Sequence, residues 1–119
     1  MDDIENLEKY DFKQRFFNSK EFSNSKGIYL LFRKDNEKCI YVGRTTGRTS
    51  SLSRRLAKHF EAPTYKLKDC IRAAKGEISF SCIIMDDKDE SQIKKMESDL
   101  IIKLNTLRYG NAKKGDNFE

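Results

Sequence analysis

Gly27-Ile28-Tyr29-Leu30-Leu31-Phe32, a polar Lys34-Asp35-Asn36-Glu37 and then Cys39-Ile40-Tyr41-Val42 form the stretch whose reading decides the fold. Two β-branched and aromatic runs joined by a short polar turn read as a β-hairpin. The first run is apolar at successive positions rather than alternate ones, so protein covers both its faces and it belongs in the middle of a sheet.

Working outward from the hairpin, Gly43 to Ser51 carries two glycines and several hydroxyls and reads as a loop. A helix follows near Ser51 to Phe60, where Leu52, Leu56 and Phe60 fall four apart on one face, and Pro63 ends it. Lys66 to Lys75 reads as a second short helix stopped at Gly76, and Ile78 to Ile84 as a third strand. The acidic turn Asp86 to Glu90 caps a last helix from Ser91 to about Leu104, in which Ile93, Met96, Leu100, Ile101 and Leu104 repeat at helical spacing. Asn105 and Gly110 mark its end. Towards the N-terminus, Ile4 to Phe17 suggests one or two helices and Asn18 to Lys26 a polar loop. The expected class is α+β: a small three-stranded, mainly antiparallel sheet flanked by helices in the order β-β-α-α-β-α, with a helical N-terminal lead.

The 119 residues suffice for one domain with a real core, but not for a catalytic domain plus a second folded recognition domain. Charged residues make up 36% of the chain and the net charge is +5, a balance that suits contact with a polyanion such as nucleic acid. Cys39, Cys70 and Cys82 are odd in number and lack CxxC spacing, which argues against a disulfide framework or a zinc knuckle and for a reducing, cytoplasmic setting. One histidine and three scattered cysteines cannot build a His/Cys zinc site. No apolar run approaches a membrane span, and the first five residues are acidic where a signal peptide is basic.

Several residues break their local pattern. Glu97 projects from within the apolar stripe of the last helix. Burying a carboxylate costs several kcal/mol (about) unless it is met, so Glu97 pairs with Arg or Lys, reaches solvent at the stripe edge, or holds a metal ion. Arg55 and His59, four apart, flank the Leu52/Leu56/Phe60 stripe, whereas Arg54 and Lys58 lie on the far, solvated side. Tyr29 and Tyr41 sit on neighbouring apolar strands, either as plain core residues or as phenols that need partners. Gly43-Arg44-Thr45-Thr46-Gly47-Arg48 is either a phosphate cradle before a helix or an ordinary turn, and it is not a Walker-type loop.

Taken in order, Gly27-Ile28-Tyr29, then Tyr41-Val42-Gly43-Arg44, then Arg55-x-x-x-His59, Glu97 and a late asparagine resemble the GIY-YIG nuclease superfamily from Gly27 to about Asn111. The resemblance implies a helical lead over 1–26 and a nuclease domain over 27–119, together one compact body. It also implies catalytic roles. Tyr29 would position or deprotonate the attacking water, although a phenol with a pKa near ~10 needs a nearby cation to do so at neutral pH. Arg55 would neutralise charge growing on the phosphate oxygens. Tyr41 and His59 would orient the nucleophile or assist proton transfer. Glu97 would hold Mg²⁺, with Mn²⁺ as a substitute, and this metal would be its counter-charge. The site asparagine is Asn111 or Asn105, with Asn111 preferred. Val42 stands where isoleucine is usual, a change of one methylene that leaves the strand intact. Many members of that superfamily carry a DNA-binding domain beside the nuclease core, and none is expected from this sequence.

The implied function is a metal-dependent DNA endonuclease that leaves 5′-phosphate and 3′-hydroxyl ends, its specificity coming from a homodimer or a partner protein. One competing reading is a nucleic-acid-binding module without catalysis; Arg44, Arg48, Arg54, Lys58, Lys113 and Lys114 are the expected phosphate contacts on either reading. Another is a protein-interaction domain that uses Phe12, Phe16 and Phe17.

Overall fold

The apolar run at 27–33 and the strand after the polar turn pair as expected: β2 (Gly27–Arg33) and β3 (Cys39–Thr45) form an antiparallel hairpin with Tyr29 opposite Gly43 and Leu31 opposite Tyr41. In this computed structural model the described residues are 7–17, 20–46 and 51–111. β2 also pairs antiparallel with β4 (Ile78–Ile84), and β4 with a two-residue strand β1 (Tyr10–Asp11), so the sheet order is β1-β4-β2-β3. Hydrogen-bonded on both edges and buried from Gly27 to Phe32, β2 is the central strand that its unalternating sequence requires.

Side-chain alternation divides the hairpin between two cores. Tyr29, Leu31 and Tyr41 pack with Leu52 and Leu56 of α3 (Leu52–Glu61) and Leu67 of α4 (Tyr65–Ala73). Ile28, Leu30, Phe32 and Val42 pack on the opposite face with Ile93, Leu100 and Ile101 of α5 (Glu90–Leu104). Helix ends follow local chemistry. The Ser51 side chain caps α3 by accepting from the Arg54 N–H, and Asp89 with Gln92 forms a capping box on α5. Asn105 ends α5 in the left-handed conformation, which asparagine tolerates better than most residues.

The N-terminal lead differs from expectation. The sheet has four strands rather than three, because Tyr10 and Asp11 leave the helical path and pair with Phe80 and Ser79. Two residues are too few to leave a period-two signature, and the decisive interactions are distant: the Tyr10 ring lies 5.4 Å from Phe80 and 5.7 Å from Phe22. Among the described residues of the lead, the helical ones form two single turns, α1 (Gln14–Phe17) and α2 (Lys20–Ser23). The second lies where a polar loop was expected, and it buries Phe22 against Phe80. Of the expected lead over 1–26, residues 1–6, 18 and 19 lie outside the described residues. No helix among the described residues is long and apolar enough to cross a membrane.

Candidate active site

Three rings from three elements meet on the α3 side of the hairpin. Tyr29 Oη lies 2.8 Å from His59 Nε2, and both residues are buried. Tyr41 stacks on Tyr29 at 6.1 Å between centroids, with its ring 4.8 Å from that of His59. Gly43 makes this possible. A Cβ there would sit 2.3 Å from Tyr29 Cζ, so only a residue without a side chain lets the phenol lie across β3. The glycine of the first tripeptide has a similar reason: a Cβ on Gly27 would come within 2.0 Å of Ile83 O, and its φ of 149° suits glycine alone.

Burial, and then the positive charges of Arg55 and Lys58, push the His59 pKa down to about 3. The imidazole is therefore neutral across the working pH range and can exchange a proton with the phenol. With the ring proton on Nδ1, Nε2 accepts from the Tyr29 hydroxyl; with the opposite tautomer, it donates to the phenol oxygen. One helical turn before His59, Arg55 is 5% exposed, and its Nε has no hydrogen-bond partner among the described residues. Arg55, Lys58 and His59 line a cleft of about 210 Å³ with Ala62 and Thr64. Both α3 candidates are thus more deeply set than the flanking position expected for them.

Glu97 occupies the other face of the hairpin. It is fully buried on α5, and its Oε1 accepts from Arg44 Nη1 at 2.7 Å. Arg44 pairs across the sheet with Ile28, one position beyond the Tyr29–Gly43 pair. The ion pair and the Tyr29–His59 pair therefore lie at the same end of the hairpin, on opposite sides of it. The Arg44 guanidinium supplies a counter-charge to the buried Glu97 carboxylate. Arg44, an expected phosphate contact, is 7% exposed and turned towards Glu97 of α5.

A carboxylate offers about four lone-pair sites, so Arg44 on Oε1 does not exhaust Glu97 as a ligand. Among the described residues no group of three or more His, Cys, Asp or Glu side chains gathers to enclose a metal. A lone hard oxygen donor suits Mg²⁺, which binds through one or two carboxylates and keeps waters or takes phosphate oxygens for the rest. The donor set fits a hard divalent ion of this kind.

Asn111 is fully buried and acts on backbone: its Oδ1 accepts from Val42 N at 2.8 Å and its Nδ2 donates to Val42 O at 2.9 Å. It pairs with the outer edge of β3 as another strand would. Lys66 secures the same turn by donating to Leu107 O and, at 2.8 Å, to Asn111 O. Asn105 is exposed at the end of α5. Arg54 and Lys58 are exposed on α3, while Arg48, Lys113 and Lys114 lie outside the described residues. Sequence reasoning missed Arg44 as the partner of Glu97, although alternation along β3 sets it on the same side as Val42, an apolar side where a charge requires a partner. Lys66 gave no signal, because the carbonyls it meets are far away in the chain.

Residues 25–111 match the GIY-YIG catalytic domain. The chain belongs to the GIY-YIG family. A GIY-YIG domain is a nuclease-type fold, and a nucleic acid is the substrate such a domain implies. No curated protein and no solved structure matches the chain.

Proposed function

We propose that this GIY-YIG chain is a metal-dependent DNA endonuclease that hydrolyses phosphodiester bonds to 5′-phosphate and 3′-hydroxyl ends. The observation that carries the reading is the buried 2.8 Å contact between Tyr29 Oη and His59 Nε2, beside an Arg55 whose Nε lacks a partner among the described residues. A phenol and a neutral imidazole sharing one proton form an acid–base pair. As water attacks phosphorus its proton is relayed through the Tyr29–His59 contact to bulk water, the bond from phosphorus to the 3′ oxygen breaks, and that oxygen takes up a proton from a solvent water.

Arg55 neutralises the charge that grows on the non-bridging oxygens, for which its planar fork is better shaped than lysine. Tyr41, stacked on Tyr29 and close to His59, keeps both rings in place. Glu97 would hold Mg²⁺ or Mn²⁺, and the bound ion supplies Lewis-acid stabilisation of the phosphoryl oxygens. Sequence preference would come from a second copy or a partner protein. None of the three cysteines forms a disulfide, which fits the reducing interior of a cell.

Supercoiled plasmid offered to the wild type and to Glu97→Gln, each with Mg²⁺ and with EDTA, tests the reading. Glutamine still accepts from Arg44, so the variant removes charge without emptying the position. Nicking by the wild type with Mg²⁺ alone is expected. Salt-sensitive DNA binding without cutting in any arm would instead make the chain a binding module.

A further inference from the structure

The cleft beside His59 is larger than one phosphoryl group needs, and its far wall has no part in the chemistry above. That wall is the start of α4. Thr64 is the N-cap residue of this nine-residue helix, yet its side chain makes no capping hydrogen bond, and its Oγ1 is buried without a partner among the described residues. The first N–H groups of a helix have no intrahelical acceptor, and together with the helix dipole they favour an anion. Across the cleft stand Arg55, nine-tenths buried and with no partner for Nε among the described residues, and the exposed side chain of Lys58.

Donors from two helices thus converge on about 210 Å³. Liquid water takes about 30 Å³ per molecule, so the space admits a phosphate with part of its sugar. Next in the chain after Thr64 is Tyr65, the first residue of α4, which is 83% exposed. Burial does not account for so large an aromatic surface next in the chain to a residue that lines the cleft. A phenol ring in that position is a stacking platform, open only to a base that has left its own stack.

We infer that the cleft between α3 and α4 is a flanking-nucleotide subsite: Lys58, Thr64 and the α4 N-terminus take the phosphate next to the scissile one, and Tyr65 stacks on that nucleotide's base. The substrate class is DNA that is single-stranded at the cut. A paired base in a continuous duplex cannot reach Tyr65 without first being unstacked. The inference rests on the nuclease reading for the neighbouring scissile phosphate, but the subsite is testable by binding alone.

The experiment is fluorescence anisotropy in EDTA with a labelled 12-nucleotide DNA strand and with the duplex of the same sequence. Wild type is compared with Tyr65→Ala, Tyr65→Phe, Thr64→Val and Lys58→Ala, after thermal melts show that each variant folds. Tyr65→Ala is expected to weaken single-strand binding roughly fivefold or more, the low end for one aromatic platform, while duplex binding shifts less than about twofold. Tyr65→Phe retains single-strand affinity, because stacking needs the ring and not the hydroxyl. Thr64→Val weakens single-strand binding, and Lys58→Ala also lowers the salt slope by about 0.7, the contribution of one phosphate on a single strand.

Unchanged single-strand affinity in Tyr65→Ala, or an equal loss on duplex, overturns the subsite. So does a wild type that binds neither DNA. If the binding pattern holds and Mg²⁺ produces no cutting, the nuclease reading fails while the subsite stands. Cutting with an indifferent Tyr65→Ala sinks the subsite alone.

Discussion

At Glu97 a charge in an apolar stripe has become half of a buried ion pair, and removing one partner of such a pair costs more than the pair contributes. Glu97→Ala is expected to destabilise the fold by about 3–5 kcal/mol, because Arg44 is left as a buried cation, and Glu97→Gln by clearly less. Urea denaturation of both variants checks this, and equal midpoints would mean that Arg44 relaxes into solvent. An inactive Glu97→Ala enzyme would therefore say little about metal binding until its folding is measured. His59 makes a second residue-level prediction. Its folded pKa of about 3 lies below the ordinary value near 6.5, so the unfolded chain takes up the proton first. The stability His59 contributes is complete above pH 6.5 and is lost as the pH falls towards 3. Between pH 6.5 and 4.5 the wild type should lose about 2 kcal/mol more than His59→Gln. The same shift predicts no limb near pH 6.5 in the pH–rate profile, and a limb there that vanishes in His59→Gln would contradict a neutral imidazole.

The β2–β3 hairpin works as an element because both sides of its outer strand are committed. On one, Gly43 leaves room for the Tyr29 ring; along the free edge, Asn111 occupies the backbone of Val42. Gly43→Ala must push the phenol off β3, at a cost of about 1–3 kcal/mol in overpacking, and should abolish cleavage by parting Tyr29 from His59. Cleavage at wild-type rates in Gly43→Ala would show that the phenol need not lie there. Asn111→Ala strands an N–H and a C=O of β3, each costing about 1–3 kcal/mol if buried. Hydrogen exchange should speed up at Val42 while β4 amides remain protected. An unchanged Val42 amide would reduce Asn111 to a surface cap.

Across the whole molecule, the residues that match the family do not include all of the core. The match begins at residue 25, whereas Phe12, Phe17 and Phe22 are buried with Phe80 on the α3 side of the sheet. A fully buried aromatic contributes about 1.5–3 kcal/mol, so these three together rival the net stability of a small domain. Deleting residues 1–24 should lower the melting temperature by well over 10 °C and expose a dye-binding apolar face. A truncated chain that melts with the full one would make the N-terminal segment dispensable.

The hairpin, α3, α4, β4 and α5 were legible because each is long enough to repeat its own period, and their observed limits lie within a few residues of the sequence reading. The candidate residues were legible through family spacing, and Glu97 also as a carboxylate in an apolar stripe. Strand β1 and helix α2 were not, since two to four residues carry no period and their form comes from Phe80, far along the chain. Sequence also fixed the demand at Glu97 without naming what meets it, because a charge records its need for a partner and not the partner's address. Tertiary structure alone supplied Arg44 from β3, set Tyr29 against His59, turned Asn111 onto Val42 and opened a cleft under Thr64. The first three are contacts across many residues of chain, and local propensity, which acts over a turn or a strand, cannot encode them.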